Sequence, residues 1–335
     1  MDAPNVSYAR VTYGPVFGGI IVQHHPVNRT MLRHPNALVK LQVTTFSARD
    51  ADAVFLNGGC EEGDMVNWTS GFIQSGTVKI HFQRAGHGVP VIFAHGFSDH
   101  GSCWKALAEP LTAHYDVVLI DARGHGQSDN PGVHYTPNDQ AADVRALISQ
   151  LHLTHPFIIG HSMGAGMALA AAATYPAALR GVILEDPPLR EWIEPKKEPD
   201  GAIPPMHAWM NSIKAMSTDQ LIRRCIVENP TWRAEEILHW VESKEQFNPD
   251  RAPDEPARMT PWKEYMAHIG VPALLVVGDT TRGALVNAET AALARSLNPR
   301  LEVGLIRNVG HCIRREAPDA FAAMVVEFLQ RHKEH

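Results

Sequence analysis

Hydrophobic positions along this chain change their period several times, and the changes mark out its elements. Residues 77–84 alternate, with Val78, Ile80 and Phe82 on one side, as a half-exposed strand does. Residues 90–94 are continuously apolar and run into His95-Gly96-Phe97, the pattern of a strand buried on both faces. An amphipathic helix is predicted over 103–114, a second buried strand over 117–120 and a helix over 137–151. Residues 156–159 predict a short buried strand, followed by Gly160-His161-Ser162-Met163-Gly164 and an alanine-rich helix that stops at Pro176. A strand over 182–185 ends in Asp186-Pro187-Pro188; strands over 273–278 and 301–306 and helices over 288–297 and 319–332 complete the order. Strands alternating with helices at this spacing predict an α/β fold, a mostly parallel central sheet flanked by helices.

Two stretches depart from that alternation. Residues 189–265 read as mostly helical, broken by prolines and charges, and hold five of the seven tryptophans. They predict a helical cap inserted between two halves of one core, 71–188 and 266–335. Residues 1–70 show no helical periodicity and one candidate strand over 38–46, so they stand as an N-terminal extension of unassigned role.

Composition narrows the function classes. A net charge of −6 without a basic cluster argues against nucleic acid and against an anionic membrane surface. No run approaches the about 20 apolar residues of a membrane span. The four cysteines, Cys60, Cys103, Cys225 and Cys312, are scattered without a Cys-X-X-Cys pair, which predicts reduced thiols and a cytoplasmic location. The first residues lack a basic leader region, which points the same way, and the Asn-X-Ser/Thr matches at Asn5, Asn28 and Asn67 are read as coincidence. No metal-ligand spacing appears among the nineteen histidines, so no metal or cofactor is expected. The oligomeric state, monomer or homodimer, stays open.

The chemistry centres on residues 160–164. Gly-X-Ser-X-Gly between a strand and a helix places Ser162 at the tip of a strained turn, and glycines two residues away on either side let strand and helix approach. The helix N-terminus then aims amide groups at the place where negative charge would develop. With His95-Gly96, the 121–128 run, this elbow and Gly310-His311 in that order, residues 72–333 resemble the α/β-hydrolase fold, in its serine-hydrolase branch with a lid after the sixth strand.

The resemblance implies His311 as the base that takes the Ser162 proton, and the backbone amides of Phe97 and Met163 as an oxyanion hole. It also implies an acid behind His311. In most relatives that acid is the third position past a glycine after the post-lid strand, which from Gly278 is Thr281 and unsuitable. Asp186, at the end of the strand before the lid, is preferred, with Asp279 as the alternative. His161 is expected on the opposite side of the turn, packing or hydrogen bonding beneath the elbow, His95 and His125 as loop-fixing residues, and Asp121, Arg123 and Ser128 as ties beneath the site. Arg314 and Arg315 are read as a solvated turn, with contact to an anionic substrate as the other option; Cys312 reads as a small filler. Trp104, Trp192, Trp209 and Met210 are candidates for a substrate wall, although packing of the helical insert uses the same residue types. The function expected is a serine hydrolase, foremost a carboxylesterase acting on a small to medium ester with an apolar or aromatic portion. A lactonase, an amidase or a C–C bond hydrolase would use the same parts. Further alternatives are a ligand-binding member without turnover and a cofactor-free perhydrolase or acyltransferase.

Overall fold

The computed structural model describes residues 7–13, 20–26, 66–132, 135–190, 205–247 and 262–334. Strands β1 (Ser7–Tyr13) and β2 (Ile20–Pro26) pair antiparallel as a separate two-stranded sheet. Neither was expected from the sequence, and the candidate strand over 38–46 lies outside the described residues, as does Trp192.

The central sheet has eight strands: β3 (Thr69–Ser75), β4 (Val78–Gly86), β5 (Val89–Ala94), β6 (Tyr115–Ile120), β7 (Phe157–His161), β8 (Gly181–Glu185), β9 (Ala273–Val277) and β10 (Leu301–Leu305). Their spatial order is β10-β9-β8-β7-β5-β6-β4-β3. The pairs β3–β4 and β4–β6 are antiparallel, and all the others run parallel. The apolar runs explain the centre: every residue of β6, β7, β8 and β9 is buried, as strands covered by helices on both faces must be. Edge strand β3 turns only Ile73 and Ser75 fully inward, too short a signal for its sequence to announce it.

Among the described residues, the sheet is flanked or its halves bridged by α1 (Lys105–Ala108), α2 (Pro137–Gln150), α3 (Met163–Thr174), α4 (Pro205–Lys214), α5 (Thr218–Glu228), α6 (Ala234–Gln246), α7 (Trp262–His268), α8 (Ala288–Leu297) and α9 (Ile313–Glu316). Helix α10 (Pro318–Arg331) then closes the described chain. Helix α2 starts on a reciprocal capping box between Thr136 and Asp139, with Pro137 in its first turn. The single helix expected over 103–114 is instead a 3-10 turn (Gly101–Trp104), the four-residue α1 and a second 3-10 turn (Glu109–Ala113). Pro110 is the physical reason, since it brings no N–H to a continuous helical ladder.

Helices α4, α5 and α6 lie between the two halves of the sheet in sequence. Trp232, Trp240, Ile213, Leu221, Ile222 and Ile237 form a small apolar core of their own there. Helix α7 behaves differently: Trp262, Tyr265 and Met266 join the main core with α3 and the sheet, so the boundary expected at 265 falls inside a helix of the core. Among the described residues no helix is long and apolar enough to cross a membrane.

Strand order reverses at β5, whose neighbours β6 and β7 both follow it in sequence. Loops leaving the carboxyl ends of β5 and β7 therefore meet at a topological switch point, where α/β folds bind ligands.

Candidate active site

Ser162 sits at the N-cap of α3 with φ 51° and ψ −115°, a conformation that costs a non-glycine residue of order 1–3 kcal/mol. The flanking glycines are needed for space. A Cβ on Gly160 would lie 2.2 Å from Gly164 O, and one on Gly164 would lie 2.2 Å from Ala94 O. The helix thus starts in contact with the end of β5, and only glycine permits that approach. Ser162 N–H donates to Glu185 O at 2.9 Å, tying the elbow to the next strand.

His311 follows β10 on a loop that turns through Asn308 and Gly310. Its Nδ1–H donates to Asp186 Oδ2 at 2.6 Å, which leaves Nε2 as the free acceptor. Asp186 is fully buried and immobilised: Oδ2 also accepts from Leu285 N at 2.8 Å, and Oδ1 accepts from Val286 N at 3.0 Å. Like Ser162, it holds a positive φ, 42°. Asp279 does something else. It is partly exposed, and its Oδ1 accepts from Thr281 N at 2.9 Å and from Thr281 Oγ1 at 2.7 Å, capping a 3-10 turn (Thr280–Arg282). Those bonds hold its carboxyl below the usual range.

His161 is not on the far side of the turn. Its ring lies against that of His311, with centroids 4.7 Å apart, and its Nε2–H donates to His311 O at 3.1 Å. Burial first, then Arg314 and His311, push its pKa well below the ordinary value, so it is a neutral prop beneath the His311 imidazole. The imidazole of His311 thus packs on the residue that precedes Ser162. Among the described residues no hydrogen bond joins the Ser162 hydroxyl to His311; contacts of this kind commonly tighten only when substrate is bound.

The loop after β5 touches the same elbow, for a Cβ on Gly96 would lie 3.4 Å from Ser162 Cβ. Among the described residues nothing accepts a hydrogen bond from the Phe97 amide. The Met163 amide is in the first turn of α3, where no intrahelical acceptor exists. Two unspent N–H donors therefore belong to the two loops that flank Ser162.

The Phe97 ring packs edge-on against Phe247 at 5.3 Å, and Met210, 2 % exposed, joins the pair. Trp209 sits beside Met210 on α4 and is partly exposed. Trp104 cannot serve as a substrate wall: it is fully buried, packed between Phe93, tilted at 5.2 Å, and the Arg314 guanidinium at 4.1 Å.

The loop ties are present. His95 Nδ1–H donates to Gly96 O at 2.8 Å while Nε2 accepts from Ala122 N at 2.9 Å. Asp121 accepts from Gly101 N, Gln127 N and His81 Nδ1, and these bonds outweigh burial to hold its carboxyl down to about 2. Arg123 forks onto Asp143 with two bonds of 2.7 Å. His125 donates from Nδ1 to Arg123 O, and burial lowers its pKa to about 3. Cys103, Cys225 and Cys312 are free thiols, and burial pushes the Cys312 thiol up to about 11.

The reading of Arg314 and Arg315 as solvated is overturned. Both are 2 % exposed, and they pair with Glu185, Asp99 and Glu236 beneath the His311 loop. Neither is available to an anionic substrate. Sequence reasoning also missed Asp99, Lys244 and Glu185 as site neighbours. Only Glu185 left a signal, a charge ending the otherwise apolar strand β8.

A strained serine between β7 and α3, a histidine–carboxylate pair behind it and free amides on both sides define the hydrolase arrangement of a doubly flanked parallel sheet. Residues 91–324 match the model of the alpha/beta hydrolase family, and the chain belongs to that family. It is 29% identical over 269 residues to N-formylmaleamate deformylase of Pseudomonas putida, covering 77% of this chain and 96% of the relative. It is 26% identical to 2-(acetamidomethylene)succinate hydrolase of Mesorhizobium japonicum, covering 77% of this chain and 94% of that one. Among solved structures, E-2-(acetamidomethylene)succinate hydrolase superposes with a TM-score of 0.68 at 24% identity, over 79% of this chain and all of the other. A putative aryl esterase from Burkholderia cenocepacia superposes at 0.63 and 24% identity, over 80% of this chain and all of the other.

Proposed function

We propose that this alpha/beta hydrolase is a serine hydrolase using Ser162 as nucleophile, His311 as general base and Asp186 as the acid that orients it. The observation that carries the reading is the 2.6 Å contact from His311 Nδ1 to an Asp186 carboxylate pinned by two backbone amides. That contact fixes the imidazole tautomer with its lone pair on Nε2, and it stabilises the imidazolium once a proton arrives. His311 Nε2 takes the hydroxyl proton as Ser162 Oγ bonds to the substrate carbonyl carbon. The carbonyl oxygen becomes an oxyanion held by the Phe97 and Met163 amides. Collapse expels the leaving group, which takes the proton from His311. Water, deprotonated by His311, then attacks the acyl-enzyme, and the acid departs as the proton returns to Ser162.

The preferred substrate is a small to medium carboxylic ester with an apolar or aromatic portion. The apolar pair Phe97 and Phe247, with Met210 behind it, supports that choice beside the proposed oxyanion donor. Helices α4 to α6 act as its cap. An amide bond is the second reading, favoured by relatives whose names carry N-formyl and acetamido groups. A panel of p-nitrophenyl esters of increasing acyl length, run beside a lactone, an anilide and an N-formyl amide, tests the choice. Faster turnover of the amides than of every ester would replace the first reading by the second. Failure of a fluorophosphonate to label Ser162 would remove both.

A further inference from the structure

The Phe97 amide sits in a tight turn. Asp99 N–H donates to Gly96 O at 3.1 Å, and Ser98, the third of the four residues, has φ 63°. A positive φ at that position is natural for glycine and strained for serine. The turn therefore needs restraint from outside, and the restraint comes from a helix far along the chain. Lys244 on α6, 3 % exposed, donates to Ser98 O at 3.0 Å, to Asp99 Oδ1 at 2.8 Å and to Ser243 Oγ at 3.0 Å. All three ammonium protons are engaged, which is what burial of such a charge requires.

The other oxygen of Asp99 faces the base loop. Arg315 donates to Asp99 Oδ2 at 3.0 Å and, through Nε, to Glu236 Oε2 at 2.9 Å, which returns the chain of contacts to α6. Arg314 lies 3.7 Å from the same Asp99 oxygen and donates to Glu185 Oε2 at 3.1 Å; Glu185 directly precedes Asp186. One buried network of three cations and three anions thus joins the turn of Phe97, the loop of His311, the strand end before Asp186 and helix α6.

We propose that Lys244 is a positioning residue for acyl transfer: by clamping Ser98 O and Asp99 it fixes the turn that presents the Phe97 amide, so the oxyanion site is complete only while α6 is seated on the core. This inference rests on the hydrolase reading above.

Lys244→Met is the direct test, because Asp99 keeps Arg314 and Arg315 as partners and no anion is stranded. With p-nitrophenyl acetate, kcat falls about tenfold or more while KM changes by less than about threefold, since a loosened donor acts on the tetrahedral state more than on the ground state. Affinity for a trifluoromethyl ketone, whose tetrahedral adduct occupies the oxyanion site, falls with kcat. Arg84→Gln is the control: it breaks the fork from Arg84 to Asp116 at the amino end of β6, away from α6 and the turn, and it lowers the melting temperature while kcat stays within about twofold. Lys244→Gln, which keeps an amide donor, reads the same split should the methionine variant not fold. A folded Lys244→Met with parental kcat and ketone affinity overturns the inference alone, and so does an equal loss of kcat in Arg84→Gln, which would make the effect one of general stability. A parent protein that neither turns over the ester nor reacts with fluorophosphonate overturns the hydrolase reading and this inference together.

Discussion

Replacing Asp186 by asparagine exchanges one oxygen for an NH2 group in a carboxylate whose two oxygens accept from three donors. Asp186 Oδ2 accepts from His311 Nδ1 and Leu285 N, and Oδ1 accepts from Val286 N. An asparagine NH2 at the Oδ2 position meets the Leu285 N–H head-on and forces His311 Nδ1 to become the acceptor. The ring proton then moves to Nε2, where the base needs its lone pair. The opposite rotamer keeps the His311 bond but sets NH2 against the Val286 N–H and removes the charge that balances the imidazolium. Either way kcat should fall about 10³- to 10⁴-fold, which is roughly 4 to 5.5 kcal/mol of barrier. One buried donor left unpaired adds about 1–3 kcal/mol of lost stability, enough to lower the melting point without unfolding the protein. Asp279→Asn is the matched partner. A partly exposed asparagine caps the same 3-10 turn through its carbonyl oxygen, so kcat should stay within about twofold of the parent. Initial rates on a p-nitrophenyl ester, with melting curves for both variants, decide the matter. An inactive Asp279→Asn beside an active Asp186→Asn would refute the assignment of the acid.

Other expectations are as direct. Ser162→Ala and His311→Ala each abolish ester turnover and leave the melting temperature near the parent's; retained turnover in either sinks the proposed mechanism. Gly164→Ala puts a Cβ 2.2 Å from Ala94 O and 2.6 Å from His95 O, both backbone atoms. It should destabilise the fold by about 1–3 kcal/mol or more and depress kcat, so an unchanged melting curve with full activity contradicts the close-approach argument. Stability should also fall in acid. Burial lowers His100 to about 4 and His125 to about 3, while their unfolded values lie near the ordinary 6.5. Both stay neutral in the fold where the unfolded chain takes up protons. Their contribution is therefore full above about pH 6.5 and is lost as pH falls towards 4 and then 3, at up to about 1.4 kcal/mol per pH unit for each. Melting temperatures measured from pH 7.5 to 4.5 should decline, and less steeply in His125→Gln; a flat profile rules this out.

Much of the sheet is legible in the chain because burial on both faces writes itself as unbroken apolar runs. Residues 90–94, 117–120, 156–159 and 182–185 needed no partner to be recognised as strands. The elbow is legible for a steric reason: glycines two residues on either side of Ser162 have little purpose unless a helix must start against a neighbouring strand. His311 could be singled out from the other histidines only by its place after a late strand and by resemblance to a family.

What the sequence could not decide depended on contacts between distant segments. Thr281 stands where the resemblance implied a carboxylate, and two aspartates remained. Only the folded chain shows that the amides of Leu285 and Val286 close around Asp186 while Asp279 turns to its own loop. Trp104, Arg314 and Arg315 carry no mark of burial in their local pattern. Their environment is assembled from β5, α6 and α9, segments more than a hundred residues apart at the extremes. Periodicity reports how each segment meets a core, so local order and the glycine-flanked turn at Ser162 were determined by sequence alone. Which charges meet inside that core is a property of tertiary packing, and only the structure fixed it.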